Sequence, residues 1–278
     1  MRLVLTVAAA FRLRRAVKHP TVGRQFFAAP HGMPVGELSD PLSSCLFGFR
    51  RLLRQKAVFA VPANRILAAL SPADYERLAP NLVPVELPLR MCIERRNRPT
   101  EFIHFLESGI ASVVSGGDRA AEVGIIGKEG FTGLAVVLGS DARPTHDTFV
   151  QAVGAAHRID VRHVRFAIES SFSLHCAMLD YVHSFLRQVT ETAIANNRHK
   201  LEERLARWLL MAQDRLDSPN LQLTHEFLGV MLGTARPGVT LALQELERGG
   251  WVSTRRGIVT VMDRNGLIEL SNGAYNPQ

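Results

Sequence analysis

The chain has 278 residues, room for two domains of ordinary size, and 46% of them are apolar, which argues against wholesale disorder. The formal net charge of +7 suggests nucleic-acid binding only weakly, because residues 1–56 carry ten Lys/Arg against Glu37 and Asp40, a local +8 that leaves the remainder at −1. Three scattered cysteines (Cys45, Cys92, Cys176) argue against a disulfide framework and a four-cysteine iron–sulfur site, and no apolar run reaches the ~18–20 residues of a membrane span.

The first 56 residues show no sustained periodicity. Pro20, Pro30, Pro34 and Pro41 interrupt any regular element. The segment reads as a disordered basic extension, or as translation drawn from too early a start, with Met33 a candidate start. The other reading is a basic tail attracted to DNA or a membrane surface. Leu3–Phe11 is apolar but short, and the Arg12-Leu13-Arg14-Arg15 that follows is the wrong flank for a cleaved signal peptide. A reduced cytoplasm is the expected compartment.

Asn64–Leu70 has the apolar spacing of a short helix. Ser71-Pro72-Ala73-Asp74 then reads as a second helix start, with Ser71 as cap, and Pro80 ends that helix. From Leu82 to Ile159 the pattern changes to short strands: Val83/Val85/Leu87, Phe102–Leu106, Ile110–Val114, Glu122–Ile126 and Thr148–Val153. Ser115-Gly116-Gly117-Asp118 is a hairpin signal. Many short strands with Gly, Pro and Asp between them predict a β-roll or barrel. His104, His146, His157 and His163 fall in this half without an H-x-H pair, so no metal site is expected.

A long helix is predicted over about Ser173–Asn197. Met178, Val182, Phe185 and Val189 recur at heptad spacing, with Thr192 and Asn196 continuing it and Leu179, Leu186 and Ala193 widening the stripe. One apolar face can take the roll and the other an identical helix, which predicts a parallel homodimer with Asn196 fixing register. Asn196–His199 is a polar break. Lys200–Arg215 resumes as an amphipathic helix with Leu201, Leu205, Trp208 and Leu209 inward.

Thr224 can cap a helix carrying Phe227, Leu228 and Met231. Gly233 breaks it, and a second helix follows with Val239, Leu243 and Leu246 on one stripe and Gly249-Gly250 as its stop. Trp251–Val261 then reads as strand, basic turn, strand. This order is a helix-turn-helix with a wing, or else a helical hairpin packed in an ordinary core. Arg236, at the start of the second helix, suits the O6/N7 edge of guanine, and Thr240 lies one turn on. Thr224 and Thr234 suit phosphate contacts, and Arg255 and Arg256 would straddle phosphates from the wing.

The residues Leu223, Thr224, Leu228, Met231, Gly233, Arg236, Val239, Leu243 and Leu246 match the pattern LT-x3-hydrophobic-x2-hydrophobic-x-G-x2-R-x2-V-x3-L-x2-L. In this the segment resembles the DNA-binding domain of the cyclic-AMP receptor/fumarate-nitrate regulator (Crp-Fnr) superfamily. The resemblance extends from roughly Ala60 to Gly266. It implies an α+β chain with an N-terminal double-stranded β-helix (jelly-roll) sensor domain, a long dimerisation helix and a C-terminal winged helix-turn-helix. The expected division is a basic extension at 1–56, a cyclic-nucleotide-binding-like β-roll at 57–172, a dimerisation helix at 173–198, the winged helix-turn-helix at 199–270 and a tail at 271–278. Double-stranded DNA and a second copy of the chain are the implied partners, with RNA polymerase a further one. No membrane association is expected.

Two departures from the family bear on the sensor. Nucleotide-binding members carry a Glu for the ribose hydroxyl where this chain has Leu134, within Gly130-Phe131-Thr132-Gly133-Leu134-Ala135, and Pro144 splits the expected Arg-Ser/Thr pair into Arg143-Pro144-Thr145. A leucine cannot accept the ribose hydroxyl bond, so cyclic AMP is not expected as a cofactor. Arg143 and Thr145 remain the anion-contacting candidates of an effector pocket. The relatives' Arg-Glu and second Arg fall at Arg236, Pro237 and Leu241, so their operator is not carried over. The expected function is a non-enzymatic, homodimeric transcription regulator on an inverted repeat. The competing reading is a β-roll small-ligand-binding protein or cupin-like enzyme whose C-terminal helices are only structural.

Overall fold

The computed structural model describes residues 61–116, 120–141, 143–216 and 218–277. The basic extension at 1–56, and Gly117 and Asp118 of the expected hairpin, lie outside the described residues. Helix α1 (Arg65–Ala69) starts at Asn64, whose Oδ1 accepts from the Leu67 amide. The same buried side chain donates through Nδ2 to the carbonyls of Leu106 and Gly130, at 2.9 and 2.8 Å, so one amide both caps the helix and fixes it to the roll. Helix α2 (Pro72–Leu78) is capped by Ser71, and its first turn holds Asp74, which accepts from Ser171 and Ser173.

The roll consists of β1 (Val83–Leu87), β2 (Cys92–Glu94), β3 (Phe102–Leu106), β4 (Ile110–Ser115), β5 (Glu122–Ile126), β6 (His146–Ala152) and β7 (Gly154–Asp160), with the one-turn helix α3 (Leu134–Val137) between β5 and β6. Two antiparallel sheets result, in the orders β1-β7-β3 and β2-β6-β4-β5. The chain crosses between them at Gly109 and Gly154. A Cβ on Gly109 would lie 2.5 Å from the Ala152 carbonyl oxygen, and one on Gly154 would lie 2.1 Å from that of Ser108. Only glycine permits this approach. Ile103, Phe105, Ala111, Val113, Ile126, Val150 and Ile159 fill the interior.

Helix α4 (Val161–Ser170) leads into α5 (Phe172–Arg198), which runs without a break through Asn196 and Asn197. The expected interruption falls later, at His199-Lys200. Leu174, Met178, Tyr181 and Phe185 of α5 are buried in the core of the roll. One turn further, Gln188 accepts from the Ile125 amide at 2.7 Å and donates to the Ile125 carbonyl at 3.1 Å, satisfying the outer edge of β5. This corrects the expected seam. Met178 and Phe185 face the roll of their own chain, with 0% and 8% exposure, and the Phe185 ring lies over Gly124 of β5, where an added Cβ would stand 2.9 Å from it. Val182 and Val189 are half-buried and Asn196 is exposed. They form a flank with Leu179, Leu186 and Ala193 at the same seven-residue spacing; Leu179, Val182 and Val189 still touch the core of the roll, and Leu186 is 60% exposed.

The C-terminal part contains α6 (Leu201–Gln213), β8 (Asn220–Gln222), α7 (His225–Leu232), α8 (Arg236–Arg248), β9 (Val252–Arg255), β10 (Ile258–Val261) and α9 (Arg264–Leu270). Its three strands pair in the order β8-β10-β9. Leu205 and Leu209 of α6 meet Leu228, Leu243 and Leu246, as the periodicity predicts. The same core includes Ile110, Val114 and Ile125 from the outer face of the β2-β6-β4-β5 sheet, so the two halves share a packed boundary. Arg215 is drawn into that boundary, 4% exposed, with its Nε 2.7 Å from Glu129. The last residues fold back: Ala274 and Tyr275 are buried, and the Tyr275 hydroxyl donates to Asp214 at 2.6 Å.

Candidate nucleic-acid interface

The local sequence dictates the helix-turn-helix geometry. Thr224 Oγ1 accepts from the Phe227 amide and starts α7, and Gly233 ends it in the left-handed conformation (φ +59°). The turn then doubles back, with the Thr234 amide donating to the Gly229 carbonyl at 2.9 Å. A Cβ on Gly229 would stand 2.9 Å from the Thr234 carbonyl oxygen, so a second glycine allows the turn to lie close on α7. Helix α8 begins at Arg236 with Pro237 in its first turn, where a missing N–H costs nothing. Val239, Ala242, Leu243 and Leu246 bury one side of α8.

The other side of α8 is open to solvent. The Arg236 side chain is exposed and makes no hydrogen bond or ion pair among the described residues. Thr240 is placed beside it, but its hydroxyl is engaged, 3.1 Å from the Arg236 carbonyl and 2.9 Å from His225 Nδ1. The methyl group is therefore the part of Thr240 best placed to meet a base, which narrows the expected role. Thr224 keeps its hydroxyl proton while capping α7, and Thr234 is half-buried in the turn. Sequence reasoning did not single out Gln244 as a reader. It is exposed two turns beyond Arg236 on the same side, and the four-residue spacing 236/240/244 was the available signal. Leu241, 67% exposed, lies between them. Arg248 is paired with Glu245 at 2.5 Å.

The wing is a two-residue hairpin. Arg256 and Gly257 both have positive φ (+40° and +80°), and Arg255 pairs with Ile258 across the turn. Arg255 and Arg256 are exposed at its tip. Glu247 of α8 accepts from the Thr254 amide at 2.9 Å and from its hydroxyl at 3.2 Å, which sets the wing against the helix. An unpaired arginine at a helix start and an arginine-tipped hairpin fixed to that helix are the parts needed for base contact and backbone contact, respectively.

The effector candidates are arranged differently. Arg143 and Thr145 are both exposed on the loop before β6, with the Arg143 guanidinium 3.3 Å from the Asn97 carbonyl and Pro144 buried between them. Leu134 opens α3 and packs against the core. Phe105, Phe131, Tyr181 and Phe185 form a run of ring contacts from β3 to α5, with centroid spacings of 5.4, 4.9 and 6.4 Å. His104 is buried nearby. Burial, and then the charge of Arg158, lower its pKa to about 4, so the imidazole is neutral.

Residues 203–270 match the family model of the Crp-like helix-turn-helix domain. The C-terminal region is a Crp-like helix-turn-helix domain. The whole described chain has the fold of Crp/Fnr proteins of known structure. A crp/fnr-family protein from Eubacterium rectale aligns with a TM-score of 0.61 at 17% identity, over 76% of this chain and 99% of its own. The c-di-GMP-responsive global regulator CLP of Xanthomonas campestris aligns at 0.58 and 18%, over 69% and 100%. FixK2 of Bradyrhizobium japonicum aligns at 0.58 and 15%, over 68% and 96%. No curated protein sequence matches the chain. The wing and α8 thus belong to a Crp-like helix-turn-helix that follows a jelly-roll in the same chain. Among the described residues no helix is long and apolar enough to cross a membrane, and no three His, Cys, Asp or Glu side chains group as a metal site.

Proposed function

We propose that the protein is a sequence-specific, DNA-binding transcription regulator that acts as a homodimer on an inverted repeat. The observation that carries this reading is the exposed start of α8, where the Arg236 side chain has no partner among the described residues, held beside a wing tipped by Arg255 and Arg256. Arg236 reads a guanine, the Thr240 methyl meets a base, and Thr224, Thr234 and the wing arginines hold phosphates. In this reading residues 57–172 are the sensor, 173–198 the dimerisation helix and 199–270 the DNA-binding domain. The chain is cytoplasmic and not an enzyme, and RNA polymerase is its further partner.

The dimer forms along the flank of α5 that carries Leu179, Val182, Leu186, Val189, Ala193 and Asn196, since Met178 and Phe185 are committed to the roll. The sensor does not respond to cyclic AMP. Leu134 offers no acceptor for a ribose hydroxyl, and Arg143 is turned toward the Asn97 loop. If an effector pocket does form, Arg143 and Thr145 are its anion contacts.

A gel shift on duplex DNA across a salt series tests the reading. Binding is expected to weaken linearly in log–log form as salt rises, with the slope set by the phosphate contacts. No binding at low salt would favour a ligand-binding roll with structural C-terminal helices.

A further inference from the structure

The boundary between the sensor sheet and the Crp-like domain contains a buried polar chain that DNA contact does not use. Glu122 of β5 is 5% exposed. Its Oε1 accepts from the Trp208 indole N–H of α6 at 2.6 Å, and its Oε2 contacts the Ser112 hydroxyl of β4. Ser112 Oγ is in turn 3.4 Å from the Met231 sulfur of α7. Four elements, two from each half, meet through one carboxyl group.

The two protonation states wire this chain differently. As a neutral acid, Glu122 donates its own proton from Oε2 to Ser112, and Ser112 is then free to donate to Met231. As a carboxylate, Glu122 accepts the hydrogen bond of the Ser112 hydroxyl, which then no longer points at Met231, and the link to the first helix of the helix-turn-helix is lost. The charged groups that face it are Arg207 of α6 and Arg215 beyond the end of that helix, and Arg204 lines the same small cavity. Glu191 of α5 draws on Arg207. Burial outweighs these cations and the two hydrogen bonds, so the carboxyl pKa rises from 4.5 to about 8.

We propose that Glu122, Ser112, Trp208 and Met231 form a proton-controlled latch: the neutral carboxyl docks the DNA-binding domain on the sensor sheet, and its ionisation loosens that docking. A carboxylate left in this boundary must draw in water, which parts the apolar contacts around it. The latch stands on the geometry of the boundary and does not depend on which DNA the protein binds.

The chain has two tryptophans, Trp208 and Trp251, so Trp251→Phe leaves the latch indole as the only reporter. The full-length protein would be titrated from pH 6 to 10 by tryptophan emission, in that background, with Glu122 intact and with Glu122→Gln. A red shift with a midpoint near pH 8 is expected with Glu122 present, and a flat profile with Glu122→Gln, which keeps the shape and the indole acceptor. The same comparison with the native Trp251 covers a Trp251→Phe protein that does not fold. A profile that is flat with Glu122 present, or a shift that persists in Glu122→Gln, overturns the latch. In a second arm, operator affinity is expected to change at least about fivefold between pH 7 and 9 only where Glu122 is present. A shift in emission without DNA binding at any pH would keep the latch and sink the regulator reading.

Discussion

Arg236 bears more of the functional reading than any other side chain. It stands at the first position of α8, exposed and unpartnered among the described residues, while the nearest arginine on that helix, Arg248, is held by Glu245. Arg236→Ala is expected to lose about 1–3 kcal/mol at one base pair per half-site and to relax the preference there. Arg255→Ala and Arg256→Ala should instead weaken binding to all sequences and lower the salt slope by roughly one each. Fragment selection with each variant separates the two outcomes. If Arg236→Ala kept full base preference, another residue would be the reader, with Gln244 next in line. Glu122 makes a prediction about stability. Its folded pKa is raised above its unfolded value, so between pH 4.5 and about 8 the native state holds the extra proton. Stability is therefore expected to fall as pH rises through that window, by up to a few kcal/mol. Melting curves of the wild type and Glu122→Gln across the window check the sign: a wild type that gains stability with pH relative to the variant contradicts it.

Helix α5 shows where sequence reading stops. Its heptad repeat gives the helix and the existence of two apolar faces, but periodicity alone cannot say which face meets the roll. The answer depends on the aromatic run from Phe105 through Phe131 to Tyr181 and on Gln188 sealing the edge of β5, contacts that span the chain. Two substitutions separate the faces. Met178→Ala is expected to cost about 2–5 kcal/mol of folding stability, because a fully buried side chain leaves a cavity. Leu186→Glu should leave the roll intact and convert a dimer to a monomer, read by sedimentation and by melting temperature. The helix-turn-helix was far more legible, because its determinants are local: Thr224 as cap, Gly233 with positive φ, Pro237 in a first turn, and a two-residue basic hairpin. The engagement of Thr240 by His225 was not legible, since fifteen residues separate two side chains that meet only when α7 and α8 pack.

At the scale of the molecule, the two halves are joined by a continuous packed boundary as well as by a helix. Ile110, Val114 and Ile125 from the β-roll enter the core of the Crp-like domain, Phe149 meets Phe227 edge-on with centroids 6.1 Å apart, and Arg215 pairs with Glu129 across it. The strand pattern predicted a roll and the helical pattern a reading head, but neither pattern marks a face as shared. Under the proposed function, such a boundary is the route by which a change in the roll reaches α8, since a packed interface that both sites bias is a physical route for coupling. In the proposed dimer, two reading heads related by the α5 seam are expected to address half-sites about 34–36 Å apart. The most direct test is selection of genomic fragments by the purified full-length protein, with and without cyclic AMP, read by sequencing. An inverted repeat with half-sites one helical turn apart, enriched equally in both arms, is the predicted result. No enriched repeat in either arm would contradict the DNA-binding dimer, and enrichment only with the nucleotide would contradict the reading of Leu134.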